Sequence, residues 1–223
     1  MNKKKIILNI TITTLLISIC FLPLISINVK ADSITGWAVF TNNGRVYRCS
    51  VDGSPQQLYN GNAAHACWSA DGAYIYFIKS NGDIWVMDND GSNPTVLTTD
   101  TNNLAKCPIG PYRPDPNYVL YVEGDKFYKI SRSSGIKTLI HDDSRTYDGE
   151  IAISTDGNRM AGRDGDDICK IEVGGSTTVY APRCSSSISP NGQYLTKNWP
   201  GHTHMSIYTW DVYYPNSPYK DHY

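Results

Sequence analysis

The chain has 223 residues, 40% hydrophobic and 18% charged, with 20 Lys and Arg against 21 Asp and Glu. That length can enclose a sizeable core. The near-neutral balance, without any basic run or patch, argues against nucleic acid or an anionic membrane surface as a partner.

The first predicted element is a targeting segment rather than part of a fold. Lys3, Lys4 and Lys5 precede an apolar run over residues 6–27, and Val29, Lys30 and Ala31 follow it. This order reads as a secretory signal peptide cleaved after Ala31. The run is also long enough to span a bilayer uncleaved, but the lysine, apolar, alanine order favours cleavage. Cys20 does not read as a lipoprotein cysteine, because Ile19 stands where a small residue belongs and the apolar run continues past it. Cleavage leaves residues 32–223 as one domain of 192 residues with a net charge near −5 and no second apolar stretch. The expected location is therefore secreted, extracellular or periplasmic, with no membrane span after signal removal.

From residue 46 onward one phrase recurs. VYRCS (46–50) returns as IWVMD (84–88), FYKIS (127–131), ICKIE (168–172) and IYTWD (207–211), at steps of 38, 43, 41 and 39 residues. A period near 40 built from strand-like units marks a β-propeller, with one blade per repeat. The second copy is the fullest. It predicts strands over 66–69, 74–78, 84–88 and 95–98, separated by turns at Asp71-Gly72, residues 80–83 and residues 89–94. Four antiparallel strands make one blade. The first turn recurs at Ser154 to Gly157 and Ser189 to Gly192, and in the third copy becomes Arg113-Pro114-Asp115-Pro116-Asn117. Asp88, Asp90 and Ser92 superficially resemble a calcium loop, but the remaining ligands are absent and hairpin chemistry explains them.

Residues 68–98, WSADGAYIYFIKSNGDIWVMDNDGSNPTVLT, resemble the WD40-like PD40 repeat of TolB-type propellers. Copies four and five match its Ser-x-Asp/Asn-Gly turn and third strand, and copy one matches its later half, so the resemblance covers most of residues 32–223. It implies an all-β propeller fold, here of five four-stranded blades, and leaves function open, because such scaffolds host many functions. TolB itself carries an additional N-terminal domain and more repeats, for which this sequence shows no counterpart. Copy one lacks an evident innermost strand and copy five an evident outer one. Residues 32–35 or 212–215 could complete a terminal blade and close the ring. An open ring would expose an edge and favour dimerisation. Residues 213–223 read as an irregular tail.

Five cysteines follow the signal segment. Cys49 and Cys169 lie in the repeated strand and read as small core residues. Cys107 and Cys184 lie in loops and are the better bridge candidates; no pairing with Cys67 or each other is implied by spacing. The repeated aromatics Tyr47, Trp85, Tyr128 and Tyr208 read as packing between blades.

In a propeller, the loops linking consecutive blades share a face with the turns between each blade's second and third strands. Here those loops are 59–66, 99–112, 141–150 and 181–187, and the turns include 163–167 and 198–204. The candidate ligand-binding residues on this face are His65, Tyr147, Asp148, Arg183, Asn198, Trp199, His202 and His204. Trp199 suits a sugar ring and the imidazoles suit a metal; equally, Trp199 and Pro200 could simply cap the last blade. His202 and His204, two apart on a strand, could share one divalent ion if His65 and Asp148 completed the set. No cofactor motif, nucleophile elbow, P-loop or paired acid and base stands out. The expected function is a secreted, non-enzymatic propeller binding a glycan or protein; the rival is a small polysaccharide lyase or hydrolase.

Overall fold

The computed structural model describes residues 36–50, 53–99, 109–147, 149–165, 167–180, 186–198 and 205–211. They form strands β1 (Trp37–Asn42), β2 (Arg45–Ser50), β3 (Gln56–Asn60), β4 (Ala63–Trp68), β5 (Tyr74–Lys79), β6 (Ile84–Asp88), β7 (Thr95–Thr98), β8 (Ile109–Pro111) and β9 (Tyr118–Glu123). The series continues with β10 (Lys126–Ser131), β11 (Lys137–Asp142), β12 (Ala152–Ile153), β13 (Arg159–Asp164), β14 (Asp167–Glu172), β15 (Thr177–Tyr180), β16 (Ser186–Ile188), β17 (Tyr194–Asn198) and β18 (Met205–Thr209).

These make five antiparallel meanders, β1–β3, β4–β7, β8–β11, β12–β15 and β16–β18, in which every neighbour in sequence is a neighbour in the sheet. The architecture is the all-β propeller that the repeat predicts. Among the described residues the two end sheets have three strands each, the first without an innermost strand and the fifth without an outermost one. The described helix content is nil, and no helix among these residues is long and apolar enough to cross a membrane.

The reason for this stacking is visible in the middle strands. In β5, Ile75, Tyr76, Phe77 and Ile78 are all fully buried, and in β9 so are Val119, Leu120, Tyr121 and Val122. Side chains alternate across a strand, so burial of four in succession requires a neighbour on each face. Ile75, Phe77 and Met87 pack with Val39 and Val46 of the first sheet, whereas Tyr76, Ile78, Ile84 and Val86 pack with Ile109, Val119 and Ile130 of the third. Leu120, Val122 and Phe127 then meet Ile153, Met160 and Ile171 of the fourth. Ala161 and Ile168 meet Ile188, Leu195 and Trp210 of the fifth. Among the described residues no such cluster joins the fifth sheet to the first.

The turn chemistry is stereotyped. Ser69 Oγ donates to Asp71 Oδ1 at 2.6 Å, and the same carboxylate accepts the Ala73 amide at 3.1 Å. Ser154 with Asp156, and Ser189 with Asn191, repeat the arrangement. Asp90 accepts Ser92 Oγ at 2.6 Å and the Ser92 amide at 2.9 Å, and Asp88 accepts Asn93 Nδ2 at 2.7 Å, so these residues serve their own hairpin. Burial pushes the Cys67 thiol up and that of Cys169 up to about 11. Both are free thiols, as is half-buried Cys49, which fits packing rather than reactivity. Cys107 and Cys184 lie outside the described residues.

The fifth repeat departs from its sequence alignment. Met87, Ile130 and Ile171 stand opposite Ile75, Val119 and Met160, but opposite Leu195 stands Tyr208. Asn89, Arg132 and Val173 donate their amides to Ala73, Asn117 and Asn158; in the fifth sheet this bond runs from Trp210 to Gln193. The IYTWD phrase is therefore displaced two residues from the register that its apolar pattern suggests. A slip of two keeps every side chain on its face, so the pattern alone could not reveal it.

The slip sets Trp210 between the fourth and fifth sheets, 1% exposed. Its Nε1 donates to Glu172 Oε1 at 2.7 Å. Lys170 Nζ lies 4.7 Å and the Arg159 guanidinium 5.4 Å from its ring centre. Lys170 also donates to the Trp210 carbonyl. Arg159 reaches on to the Gly192 carbonyl at 3.0 Å and to Asp211 at 3.2 Å. Trp210→Ala should lower the unfolding free energy in urea by about 3–5 kcal/mol. Trp210→Phe, which keeps a ring but leaves Glu172 without its donor, should cost about 1–2 kcal/mol. An alanine variant within about 1 kcal/mol of the parent would show that the residue does not hold the two sheets together.

Candidate functional site

The face built from linking loops and second-to-third-strand turns is stitched together by main-chain bonds. Ala63 N donates to Gly44 O at 2.8 Å, and Ser80 N to Asn62 O at 2.9 Å. Tyr147 N donates to Gly124 O at 3.1 Å, and Asp143 N to Asp125 O at 3.0 Å. Several residues expected in the loops belong to strands instead. Tyr59 and Asn60 end β3, residues 63–66 lie in β4, His141 and Asp142 end β11, and Arg163 and Asp164 end β13.

His65 sits at an irregularity in β4. The pairing with β5 shifts between Ala64 and Cys67, and His65 itself has φ 49°, in the left-handed region. Such a conformation in a non-glycine residue is uncommon and is retained where the surroundings fix it. The bulge turns the imidazole out of the strand's alternation and leaves it exposed. Protein crowding nevertheless holds its pKa below the ordinary value of 6.5, with the Glu150 charge acting in the opposite direction. Glu150 belongs to the segment between the third and fourth sheets and His65 to the second, so the charge that acts on the imidazole comes from a different part of the chain.

Glu150 Oε2 lies 3.8 Å from Arg163 Nε at the end of β13. Gly149 lets the guanidinium this close, since a Cβ there would stand 2.0 Å from Arg163 Nε. Arg145 Nη1 lies 3.5 Å from Asp164 Oδ2 nearby. The loop face thus carries an imidazole with a lowered pKa and a paired carboxylate and guanidinium, groups that donate and accept hydrogen bonds.

Tyr147 has a different position from the one expected. It is 2% exposed, its ring meets Phe127 edge-on at 4.6 Å, and its hydroxyl donates to Asp143 Oδ2 at 2.8 Å. Burial pushes the phenol up, and the bond to Asp143 adds to that. Burial opposes ionisation of Asp143, but bonds from Thr177 and Tyr147 outweigh it and hold the carboxyl low. His141, 5% exposed, lies 3.8 Å from the same carboxylate. Tyr147 therefore braces the loop that leads to Glu150. Asn198 is the last residue of β17, opposite Met205. Asp148, Arg183, Trp199, His202 and His204 lie outside the described residues. No group of three or more potential metal ligands occurs among the described residues. Glu150, Arg163 and Arg145 were not singled out by sequence. Their loops were marked, but a charge in a loop ordinarily reads as a solvated one.

The fold and this face define a β-propeller protein. No protein-family model matches the chain, and no curated protein matches it. Solved structures do. A putative TolB from Agrobacterium tumefaciens is 20% identical, with a TM-score of 0.59 over 79% of this chain and 68% of that one. A propeller in a nidogen/laminin complex is 14% identical, with a TM-score of 0.60 over 74% of this chain and 68% of that one. Likeness at this identity establishes the propeller fold.

The electrostatic pairing gives a direct expectation. By NMR, His65 should titrate below pH 6.5, and Glu150→Gln should lower the midpoint further by removing the one charge that raises it. Because the native midpoint lies below the unfolded one, His65 detracts nothing from stability above about pH 6.5, and the native state loses stability as pH falls from there towards the native midpoint. A midpoint unmoved by Glu150→Gln would separate the two residues.

Proposed function

We propose that this is an exported, non-enzymatic propeller that binds a glycan or a protein partner over the loop-face hollow, around His65, Glu150 and Arg163. The carrying observation is the contrast between the two faces. The turn-face carboxylates Asp71, Asp90 and Asp156 are engaged by their own turns, whereas the loop face presents His65 on a bulge, exposed and in the left-handed region. The repeat order assigns Asp148, Arg183, Asn198, Trp199, His202 and His204 to linking loops and second-to-third-strand turns of that face, and Trp199 suits stacking on a sugar. The nidogen structure holds laminin in its complex, which supports a protein as one class of ligand. The TolB and nidogen likenesses, with the apolar segment after Lys5, support placement outside the cytoplasm. The end sheets leave β1 and β18 as edges among the described residues, which supports dimerisation by edge pairing.

One observation favours a second reading, a polysaccharide lyase or hydrolase: a histidine kept neutral next to a carboxylate suits proton abstraction. A divalent metal held by His65, Asp148, His202 and His204 would belong to that reading. Glycan arrays and immobilised extracellular-matrix or envelope proteins should reveal a ligand whose affinity falls at least about ten-fold in His65→Ala and in Trp199→Ala, as expected for loss of a central contact. Undiminished binding in both variants would place the ligand elsewhere. Turnover on a polysaccharide panel, with stoichiometric metal in the purified protein, would favour the enzyme.

A further inference from the structure

On the opposite face, around the propeller axis, the first turns of four sheets surround a cavity of about 330 Å³ lined by Ser69, Ala70, Pro111, Arg113, Thr155 and Pro190. Pro111 pairs with Val119 as Trp68 pairs with Ile75, Ile153 with Met160 and Ile188 with Leu195, so Tyr112 takes the place of Ser69, Ser154 and Ser189, and Arg113 stands where Ala70, Thr155 and Pro190 stand in the other copies. The third turn is built differently, with Tyr112 in place of the serine and Asp115 accepting the Asn117 amide at 2.9 Å, and it sets a cation where the other copies carry an uncharged lining residue.

One nitrogen of Arg113 does structural work. Nη1 donates to the Ile153 carbonyl and to the Ile188 carbonyl, each at 2.9 Å. These carbonyls belong to the innermost strands β12 and β16, so the two Nη1 hydrogens tie the third, fourth and fifth sheets together. A guanidinium carries five N–H donors. The three on Nη2 and Nε have no bonding partner among the described residues, and Arg113 forms no ion pair there. Burial lowers its pKa, and no acidic neighbour offsets that cost. The surrounding carboxylates do not serve it, because Asp71, Asp115 and Asp156 each accept bonds within their own turns.

A half-buried cation without a counter-ion is costly, and a planar carboxylate meeting the Nη2 and Nε edge with two parallel bonds is its best complement. We propose that the axial cavity on the turn face is a carboxylate-binding site with Arg113 as its anchor. The cavity lies at the small end of the range for ligand sites, which suits a short acid or the terminal residues of a polypeptide. The site is separate from the loop-face hollow, and either can stand without the other.

The test is NMR titration of the full ¹⁵N-labelled protein with acetate, with triglycine, and with triglycine amide as a control. Acetate or triglycine should shift the Ala70 and Thr155 amides and the Arg113 Nε resonance saturably, and the amide should not. Saturation by both probes at similar concentrations would identify a free small acid as the natural source. Tighter binding of triglycine would identify a polypeptide C-terminus. Arg113→Lys should weaken binding on the order of ten-fold through loss of the two-pronged contact. Ala70→Glu, on an exposed turn position away from the carbonyl anchors, should abolish it while leaving the rest of the spectrum folded. No saturable shift with either acid, an equal response to the amide, or full binding in a folded Ala70→Glu variant would overturn the proposal.

Discussion

A strand that is apolar on both faces cannot border water on either, and the arrangement of this protein follows from that constraint. β5, β9 and much of β13 are such strands. Each sheet containing one must lie between two others, and at roughly 25 cal/mol per Å² of apolar surface removed from water this is a strong directive. The end sheets obey the converse. In β17 only Leu195 among the described side chains is buried, and Tyr194 is 44% exposed; in β1 only Val39 is buried. These sheets are built for one apolar neighbour. The described fifth and first sheets thus lack the type of contact that joins all the others.

Gathering the innermost strands around one axis gives the molecule two faces of different chemistry. One carries turns in which Ser, Asp, Asn and Gly satisfy their own backbone. The same grammar that makes these turns stable leaves few side chains over for a ligand, and Arg113 departs from it. The other face carries segments of unequal length, and there polar groups sit in strained or crowded places: the left-handed His65, and Arg163 packed onto Gly149 beside Glu150. Tyr147 and Asp143 are bonded to each other and hold the loop from which Glu150 projects.

Much of the fold was legible because its signals are local. The 68–98 repeat states its turns with Asp-Gly and Asn-Gly and its strands with branched and aromatic runs. Features resting on pairing between strands were not legible. The displaced fifth repeat leaves the facing of every residue unchanged, so only hydrogen-bond register exposes it. The bulge at His65 lies in AAHACW, a string with nothing to mark two residues outside the ladder. Tyr147 was legible as a loop residue but not as a buried one, because its partners Asp143, Thr177 and Phe127 come from three different elements. Glu150 acquires meaning only through His65, 85 positions earlier in the chain, a distance that no local pattern bridges.

The radial arrangement itself is the claim from which both sites derive, and spin labels placed site-specifically at Ala70 and Pro190 test it most directly. These residues are 120 positions apart, in the second and fifth sheets, yet line one cavity. Strong dipolar broadening between the labels is the result expected for sheets gathered around an axis. Sheets stacked in a row about 10 Å apart would hold the labels roughly 30 Å from each other; a spectrum without broadening would contradict the propeller and both sites with it.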